Sequence, residues 1–371
     1  MREDTRAADE KYMRMALTLA ARGRGRTSPN PMVGAVLVRD GRVVGRGYHE
    51  RAGLPHAEVM AIRNAGPAAQ GSTLYVNLEP CCHTGRTGPC TEAIIQAGVG
   101  RVVAAMRDPN PLVAGRGLTR LRAAGIEVTE GVLAGEAARL NEVFVKYITQ
   151  RLPFVVMKVA VSLDGKIATH TGASQWITGP AARERVHRLR DCYDAVMVGI
   201  GTILRDNPSL TTRLPEGGRD PIRIVLDSTA RTPPEARVLA QASPAPTIIA
   251  TTEQAPVARI NTLKKGGAEV LVCGSGPRVD VRLLMKELAR REITSILVEG
   301  GAGVNAALLE AGLVDKVVWF VAPLIIGGRD APGPVGGRGA AVLAEALRVE
   351  NGHWEQVGPD LCFEGYIVRR E

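Results

Sequence analysis

His56-Ala57-Glu58 and, further along, Pro80-Cys81-Cys82-His83-Thr84-Gly85-Arg86-Thr87-Gly88-Pro89-Cys90 decide how this 371-residue chain is to be read. Imidazole and thiolate are borderline and soft donors that favour zinc, and three protein ligands leave the fourth tetrahedral position to water. An open position means chemistry rather than a structural staple. His56 and Cys81 supply two ligands; Cys82, His83 and Cys90 compete for the third place. Neighbours in sequence seldom aim both side chains at one point, whereas Cys90 opens the apolar-periodic run 91–97, and a thiol at a helix N-terminus ionises readily. The expected ligands are therefore His56, Cys81 and Cys90, with Cys82 and His83 beside the ion and not on it. Glu58 is the expected catalytic group, because a carboxylate near zinc-activated water can take its proton and hand it on. The competing reading is a closed zinc knuckle, in which Cys82 or His83 completes the coordination and Glu58 lies on a solvated helix face.

A chain of this length with 45% hydrophobic residues buries two ordinary cores, so two domains are expected. The first 26 residues include Glu3, Asp4, Asp9 and Glu10 and no unbroken apolar core, which does not read as a secretory signal. The longest apolar runs, near 317–326 and 195–204, fall short of the roughly 20 residues that cross a bilayer. Six cysteines, three of them within 81–90, fit a metal site in a reducing compartment better than a disulfide framework, which points to the cytoplasm. The formal charge of +9 is scattered over both halves, and only 4% of residues are aromatic, too few for stacking single-stranded bases. A small anionic substrate suits this balance better than a polynucleotide or a membrane.

Along the chain, 8–23 reads as an amphipathic helix with Met13, Ala16, Leu17 and Ala20 on its apolar face. Ser28-Pro29-Asn30-Pro31 breaks it before a strand over 33–38, and Asp40-Gly41 signals a hairpin. Asn30, between two prolines, sits in a rigid turn, either as an ordinary turn former or with its amide offered to a base edge. Pro55 sets the first turn of a helix beginning at His56, and a strand over 74–78 delivers Cys81. Strand and helix pairs follow at 102–106 with 118–124, and at 126–129 with 134–147, giving α/β layers around one sheet. Asp108-Pro109-Asn110-Pro111 lies at a strand end, where α/β ligands bind, so Asn110 is an expected substrate contact.

Gln150-Arg151-Leu152-Pro153 is a seam, after which the strand 154–161 opens a second alternation of strands and helices; the expected domains are 1–150 and 151–371. The second half carries Ser162-Leu163-Asp164-Gly165, Ser174-Gln175-Trp176-Ile177-Thr178, Asp206-Asn207-Pro208-Ser209-Leu210-Thr211-Thr212-Arg213 and Val298-Glu299-Gly300-Gly301-Ala302-Gly303-Val304-Asn305. In the last, glycines after the strand 294–298 let backbone N–H groups at a helix start close on a phosphate. Gly301, Gly303 and Ala306 satisfy G-x-G-x-x-A, but no acidic residue closes a strand about 20 positions later, so a standard NAD-type ribose site is not expected. Of the arginines on the helix holding 183, 185, 188 and 190, Arg190 stands out, as does Arg213 beyond it. His49, His170, His187 and His353 read as ordinary surface or core residues, and 327–337 as a mobile glycine- and proline-rich loop.

His-x-Glu followed by Pro-Cys resembles the signature of zinc-dependent nucleobase deaminases, except that Thr84 stands where the second thiol would follow at short spacing. Together these motifs resemble the bifunctional deaminase/reductase family of riboflavin biosynthesis from about Asn30 to the C-terminal strands. In that family the gap between the two cysteines is long, as it is here. The resemblance implies an α/β protein with an N-terminal cytidine-deaminase-like three-layer domain and a C-terminal dihydrofolate-reductase-like α/β domain. It implies Zn2+ and NADPH as cofactors, hydrolysis of an exocyclic pyrimidine amine with Glu58 shuttling protons, then reduction of the ribosyl chain. Family contacts fall on Ala160, Trp176, Thr202, Asp206, Ser228 and Gly301, Ala302, Gly303, Val304, Asn305, Ala306 and Ala307 for the dinucleotide. For the reductase substrate they fall on Ser174, Arg190, Leu210, Arg213 and Glu299, with Lys158 polarising the sugar. Arg86 would meet the phosphate or ribose and Asn30 the base. The expected partners are a small phosphorylated pyrimidine ribotide and further copies of the chain. The rival readings are a deaminase of another base with an accessory C-terminal domain, and a structural zinc module that binds RNA.

Overall fold

The structure, a computed structural model, describes residues 2–82, 88–111 and 113–368. Two compact units, Met1–Arg151 and Leu152–Glu371, divide the chain.

In the first unit, α1 (Arg2–Ala20) precedes the hairpin of β1 (Gly34–Arg39) and β2 (Arg42–Tyr48), turned by Asp40 and Gly41 with positive φ. Then come α2 (Ala57–Ala65), β3 (Thr73–Val76), α3 (Cys90–Gln96), β4 (Arg101–Ala104), α4 (Arg116–Ala123), β5 (Glu127–Glu130), α5 (Ala134–Leu140) and α6 (Glu142–Gln150). The sheet order is β2-β1-β3-β4-β5, antiparallel on the hairpin side and parallel from β3 to β5. Period-two alternation splits the strands between two cores. Leu37, Leu74, Val76, Val102 and Ala104 face Ala57, Ala61, Ile94 and Leu118 of α2, α3 and α4. Val36, Val38, Tyr75 and Val103 face Met13, Ala16 and Leu17 of α1 and Ala137 of α5. This is the expected three-layer arrangement. The predicted helix over 134–147 is two helices broken at Asn141, whose side chain accepts from Met32 N at 2.8 Å and donates to Met32 O at 2.9 Å. That pair of bonds ties the break to the start of the sheet and competes with continued helix.

In the second unit β6 (Phe154–Ser162), α7 (Pro180–Cys192), β7 (Ala195–Gly199), α8 (Ile200–Asp206), β8 (Ile222–Leu226), α9 (Arg237–Ala240), β9 (Thr247–Thr251), α10 (Val257–Lys265), β10 (Glu269–Val272), α11 (Val281–Arg290), β11 (Ser295–Val298), α12 (Ala302–Glu310), β12 (Lys316–Ala322), β13 (Arg348–Val357) and β14 (Asp360–Val368) build one sheet with helices on both faces. Its order is β10-β9-β8-β7-β11-β6-β12-β14-β13, parallel as far as β12 and antiparallel at β14 and β13. The chain winds outward from β7 to β10 and returns at β11 between β7 and β6. Carboxyl ends of strands at such a reversal are where open α/β sheets bind ligands. Loop 327–337, expected to be mobile, is tied down: Pro332 O accepts from Ile167 N, Pro334 O from Asn305 Nδ2, and Ala302 O from Gly336 N. Among the described residues no helix is long and apolar enough to cross a membrane.

Candidate active sites

Gly47 lets α2 lie directly on β2: a Cβ there would stand 2.4 Å from Ala57 O and 2.6 Å from Ala61 N. That approach fixes the start of α2, where His56 is the N-cap and Glu58 lies in the first turn. The helix starts at Ala57, one residue later than expected, so Pro55 precedes the cap instead of forming the first turn. Beyond β3, Cys81 meets the first residue of α3, Cys90. Thr91 N donates to Cys81 O at 3.1 Å and Cys90 N to Cys81 Sγ at 3.4 Å. His56 Nδ1 is 3.1 Å from Cys90 Sγ and 3.5 Å from Cys81 Sγ, and the three ligand atoms lie within 4.8 Å of one another. Donors at about 2.0–2.3 Å from a tetrahedral zinc stand roughly 3.5–3.8 Å apart, so this triad fits the ion. Cys82 is not part of the group. His83 and Arg86 lie outside the described residues.

Charge favours the same assignment. Hydrogen bonding from Cys90, helped by His56, pulls the Cys81 thiol down to about 4 against the opposing effect of burial. Cys90, sharing that proton, is pushed up by the bond to Cys81 and by burial, and His56 is raised chiefly by its bond to Cys81. A cation would replace the shared protons. Glu58 is 3% exposed, and its Oε2 is buried without a hydrogen-bond partner. Burial, reinforced by the Cys81 charge, lifts its carboxyl to about 7. An orphaned acceptor beside three converging ligands is an atom waiting for a donor, which a water on the ion provides.

Asn30 joins this site through a residue that sequence reasoning passed over. His49, expected to be ordinary, is 2% exposed; its Nε2 is 3.2 Å from Asn30 Nδ2, its Nδ1 is 3.3 Å from Pro55 O, and its ring meets that of His56 edge-on at 5.4 Å between centroids. Burial pushes the His49 imidazole down, so it stays neutral, donates to Pro55 O from Nδ1 and accepts the Asn30 amide at Nε2. Its position just past β2, six residues before Pro55, carries no ligand-like spacing, and only the folded hairpin reveals its partners. Glu79 was also passed over, although an acid ending a strand as apolar as 74–78 is itself a signal. It is 3% exposed and collects N–H groups from the segment that carries Asn110.

In the second unit Glu299 follows β11, its N–H bonded to Met197 O. Arg190 grips it with Nε to Oε1 at 2.6 Å and Nη2 to Oε2 at 3.0 Å, and Lys158 Nζ reaches Oε2 at 3.2 Å. Burial raises this carboxyl, but the Arg190 and Lys158 charges outweigh it and hold the group at about 2. Arg190 also donates to Thr211 O, next to Leu210, and Arg213 N to His187 Nδ1 at 3.2 Å. Burial and the Arg190 charge both press on the Arg213 guanidinium, which an anion would relieve. Ser174 hydrogen-bonds the Asp206 carboxyl.

For the dinucleotide, Gly301 caps α12, and Val304 packs so tightly on Gly199 and Gly300 that a Cβ at either would come within 2.8 Å of it. This brings the start of α12 against the β7–α8 junction that precedes Thr202. Backbone N–H groups of the first turn are the atoms there that could cradle a phosphate. The side chains of Asn305 and Ala306 are not part of it: Asn305 donates to Pro334 O and Ala306 is buried. Ser228 uses its hydroxyl to accept from Val279 N, Trp176 is 67% exposed with Arg183 over its ring, and Ala160 lies within β6.

We expect Glu299→Gln to leave Arg190 and Lys158 facing each other over an uncharged amide, costing about 3 kcal/mol of stability at neutral pH. Because the folded carboxyl is depressed, its contribution is present above the ordinary value of 4.5 and is lost as pH falls towards about 2. Urea unfolding should therefore separate wild type from the variant at pH 7 and not near pH 2; equal midpoints at pH 7 would contradict the ion-pair account.

Two family models match the chain: the cytidine and deoxycytidylate deaminase zinc-binding region over residues 6–106, and the RibD C-terminal domain over 153–363. The chain is 44% identical over 361 residues to the riboflavin biosynthesis protein RibD of Actinobacillus pleuropneumoniae, covering 97% of this chain and 95% of that one. It is 46% identical over 356 residues to RibD of Aquifex aeolicus, covering 96% and 98%. Among solved structures, Acinetobacter baumannii RibD superposes with a TM-score of 0.88 at 37% identity over 98% of this chain and 100% of that one. A diaminohydroxyphosphoribosylaminopyrimidine deaminase/5-amino-6-(5-phosphoribosylamino)uracil reductase from Thermotoga maritima gives 0.85 at 39% identity, with the same coverage.

Proposed function

Since this chain belongs to the RibD family and is a bifunctional deaminase and reductase of riboflavin biosynthesis, we propose that residues 1–150 carry the first activity and 151–371 the second. Both act on one phosphorylated molecule. The first hydrolyses the exocyclic amine of 2,5-diamino-6-ribosylamino-4(3H)-pyrimidinone 5′-phosphate, and the second reduces the ribosyl chain of 5-amino-6-(5-phosphoribosylamino)uracil to ribityl. The observation that carries this reading is the convergence of His56, Cys81 and Cys90 beside the orphaned Oε2 of Glu58.

His56, Cys81 and Cys90 would hold zinc, which would supply a water activated at neutral pH. Glu58 Oε2 takes a proton from the attacking water and delivers it to the nitrogen that leaves as ammonia. Asn30, oriented by His49, meets the base, and Asn110 approaches from the loop after β4. Arg86 takes the phosphate or ribose. In the second half a bound NADPH would supply hydride chemistry for C1′ of the opened ribose. Gly301, Ala302 and Gly303 would offer backbone N–H groups to its phosphates at the start of α12, with Ala160, Trp176, Thr202, Asp206 and Ser228 as further contacts. Lys158, fixed by Glu299, polarises the sugar at the carbon to be reduced, while Arg190, Ser174 and Leu210 shape the pocket. Arg213, whose guanidinium is disfavoured by burial and by the Arg190 charge, takes the substrate phosphate.

Six free cysteines suit a reducing compartment, so we place the protein in the cytoplasm. Self-association belongs to the same reading: Trp354, Leu347 and Val349 form an exposed apolar edge on β13 and the residues before it. A strictly monomeric mass in light scattering would remove that part. The function itself is tested by supplying the diaminopyrimidine ribotide and following ammonia and NADPH separately. Ammonia release should precede and be required for NADPH oxidation; ammonia without NADPH consumption would favour a deaminase with an accessory second domain.

A further inference from the structure

Glu79, two residues before Cys81, touches neither the ligand triad nor Glu58, yet it is 3% exposed and its carboxylate is fully committed. Oε1 accepts from Gly117 N at 2.8 Å and Leu118 N at 3.3 Å; Oε2 accepts from Gly115 N at 2.9 Å and Asp108 N at 3.1 Å. Asp108 is one stem of the loop that holds Asn110, and 115–118 is the other, so both stems end on one side chain. The stem is pressed onto the ligand arm as well, since a Cβ at Gly117 would lie 2.0 Å from Pro80 O. From that stem α4 runs on to pair Arg120 with Glu92 of α3 at 3.0 Å, and α3 begins at Cys90. The arm with Cys81 and the loop with Asn110 are thereby joined at this carboxylate, and the helix with Cys90 is linked to them through α4.

Four N–H donors need an acceptor-only group with two oxygens, which an ionised carboxylate is. Glutamine has the same shape but one oxygen, and its amide would set N–H against N–H at two of the four positions, leaving them unsatisfied in a buried place. Loop stems held this way are fixed to within the fraction of an ångström on which productive orientation depends.

We propose that Glu79 is a positioning residue of the deaminase: its carboxylate draws both stems of the 108–117 loop onto the segment that carries Cys81 and so sets where Asn110 meets the base. The proposal rests on the deaminase reading above. It acts through the loop, and neither substrate nor zinc contacts Glu79 itself.

The test compares full-length, zinc-loaded wild type with Glu79→Gln and Glu79→Asp. Amide exchange at Asp108, Gly115, Gly117 and Leu118 is measured beside zinc content, the deaminase KM and kcat, and NADPH-dependent reduction as an internal control of folding. In the Gln variant those four amides should exchange at least about tenfold faster. KM for the diaminopyrimidine ribotide should rise about tenfold, with a smaller fall in kcat, zinc retained and reduction unchanged. The Asp variant, which keeps the charge and both oxygens, should lie closer to wild type than the Gln variant in exchange and in KM. The proposal is overturned if the Gln variant keeps its KM, if the four amides stay protected, or if activity falls only in step with lost zinc. A wild type that releases no ammonia overturns the deaminase reading itself, and is told apart from these because it is seen before any variant is made.

Discussion

Glu58→Gln is expected to keep its zinc and lose deamination by about 10²–10⁴-fold, the range that general acid–base catalysis supplies. The carboxylate is buried and its Oε2 has no protein partner, so it is placed to exchange protons with a bound water or substrate instead of stabilising the fold. The amide keeps the shape and removes only the proton shuttle. Because the ligand triad does not include this group, zinc content should stay at the wild-type level, and NADPH oxidation with the deaminated intermediate should be undiminished. Ammonia release and zinc content are measured on one preparation. Deamination persisting in the variant would remove Glu58 from the mechanism.

The second large effect concerns the ligand choice. Cys90→Ser replaces a thiol that lies 3.1 Å from His56 Nδ1 at the first residue of α3, and zinc content should fall to a small fraction of wild type, taking deamination with it. Cys82→Ser should change neither, because that thiol stands outside the ligand group. Hard hydroxyl oxygen is a poor substitute for thiolate at a zinc site. Elemental analysis of the two variants decides the matter, and metal loss in Cys82→Ser with retention in Cys90→Ser would reassign the third ligand.

Much of this was legible because its physics is local. Asp40-Gly41 supplies two positive φ angles in the hairpin between β1 and β2, and period-two alternation at Val36, Leu37 and Val38 divides one strand between two cores. Cys90 at a helix start could be preferred over Cys82 from neighbours alone. The hidden parts are those whose partners are backbone atoms or distant side chains. His49 reads as an isolated histidine until the hairpin folds it between Asn30 and Pro55, and Glu79 reads as one acid at a strand end until four amides arrive from the loop beyond β4. The break at Asn141 is of the same kind, since helical periodicity runs through it and only Met32, 109 residues earlier and just before β1, explains why the helix stops. Arg190, Lys158 and Glu299 come from a helix, a strand and a strand end far apart in sequence. Arg190 stands out on its helix, family resemblance adds the roles of Lys158 and Glu299, and the structure shows both cations bonded to Glu299.

The claim on which the hydrolytic half depends is that the chain gives the ion three ligands and leaves one place for water. X-ray absorption at the zinc edge of the resting protein tests it most directly. The account predicts one imidazole nitrogen, two sulfurs and one light scatterer without the outer-shell pattern of an imidazole ring. A third sulfur or a second imidazole would mean that Cys82 or His83 closes the site, and the mechanism built on Glu58 would be contradicted.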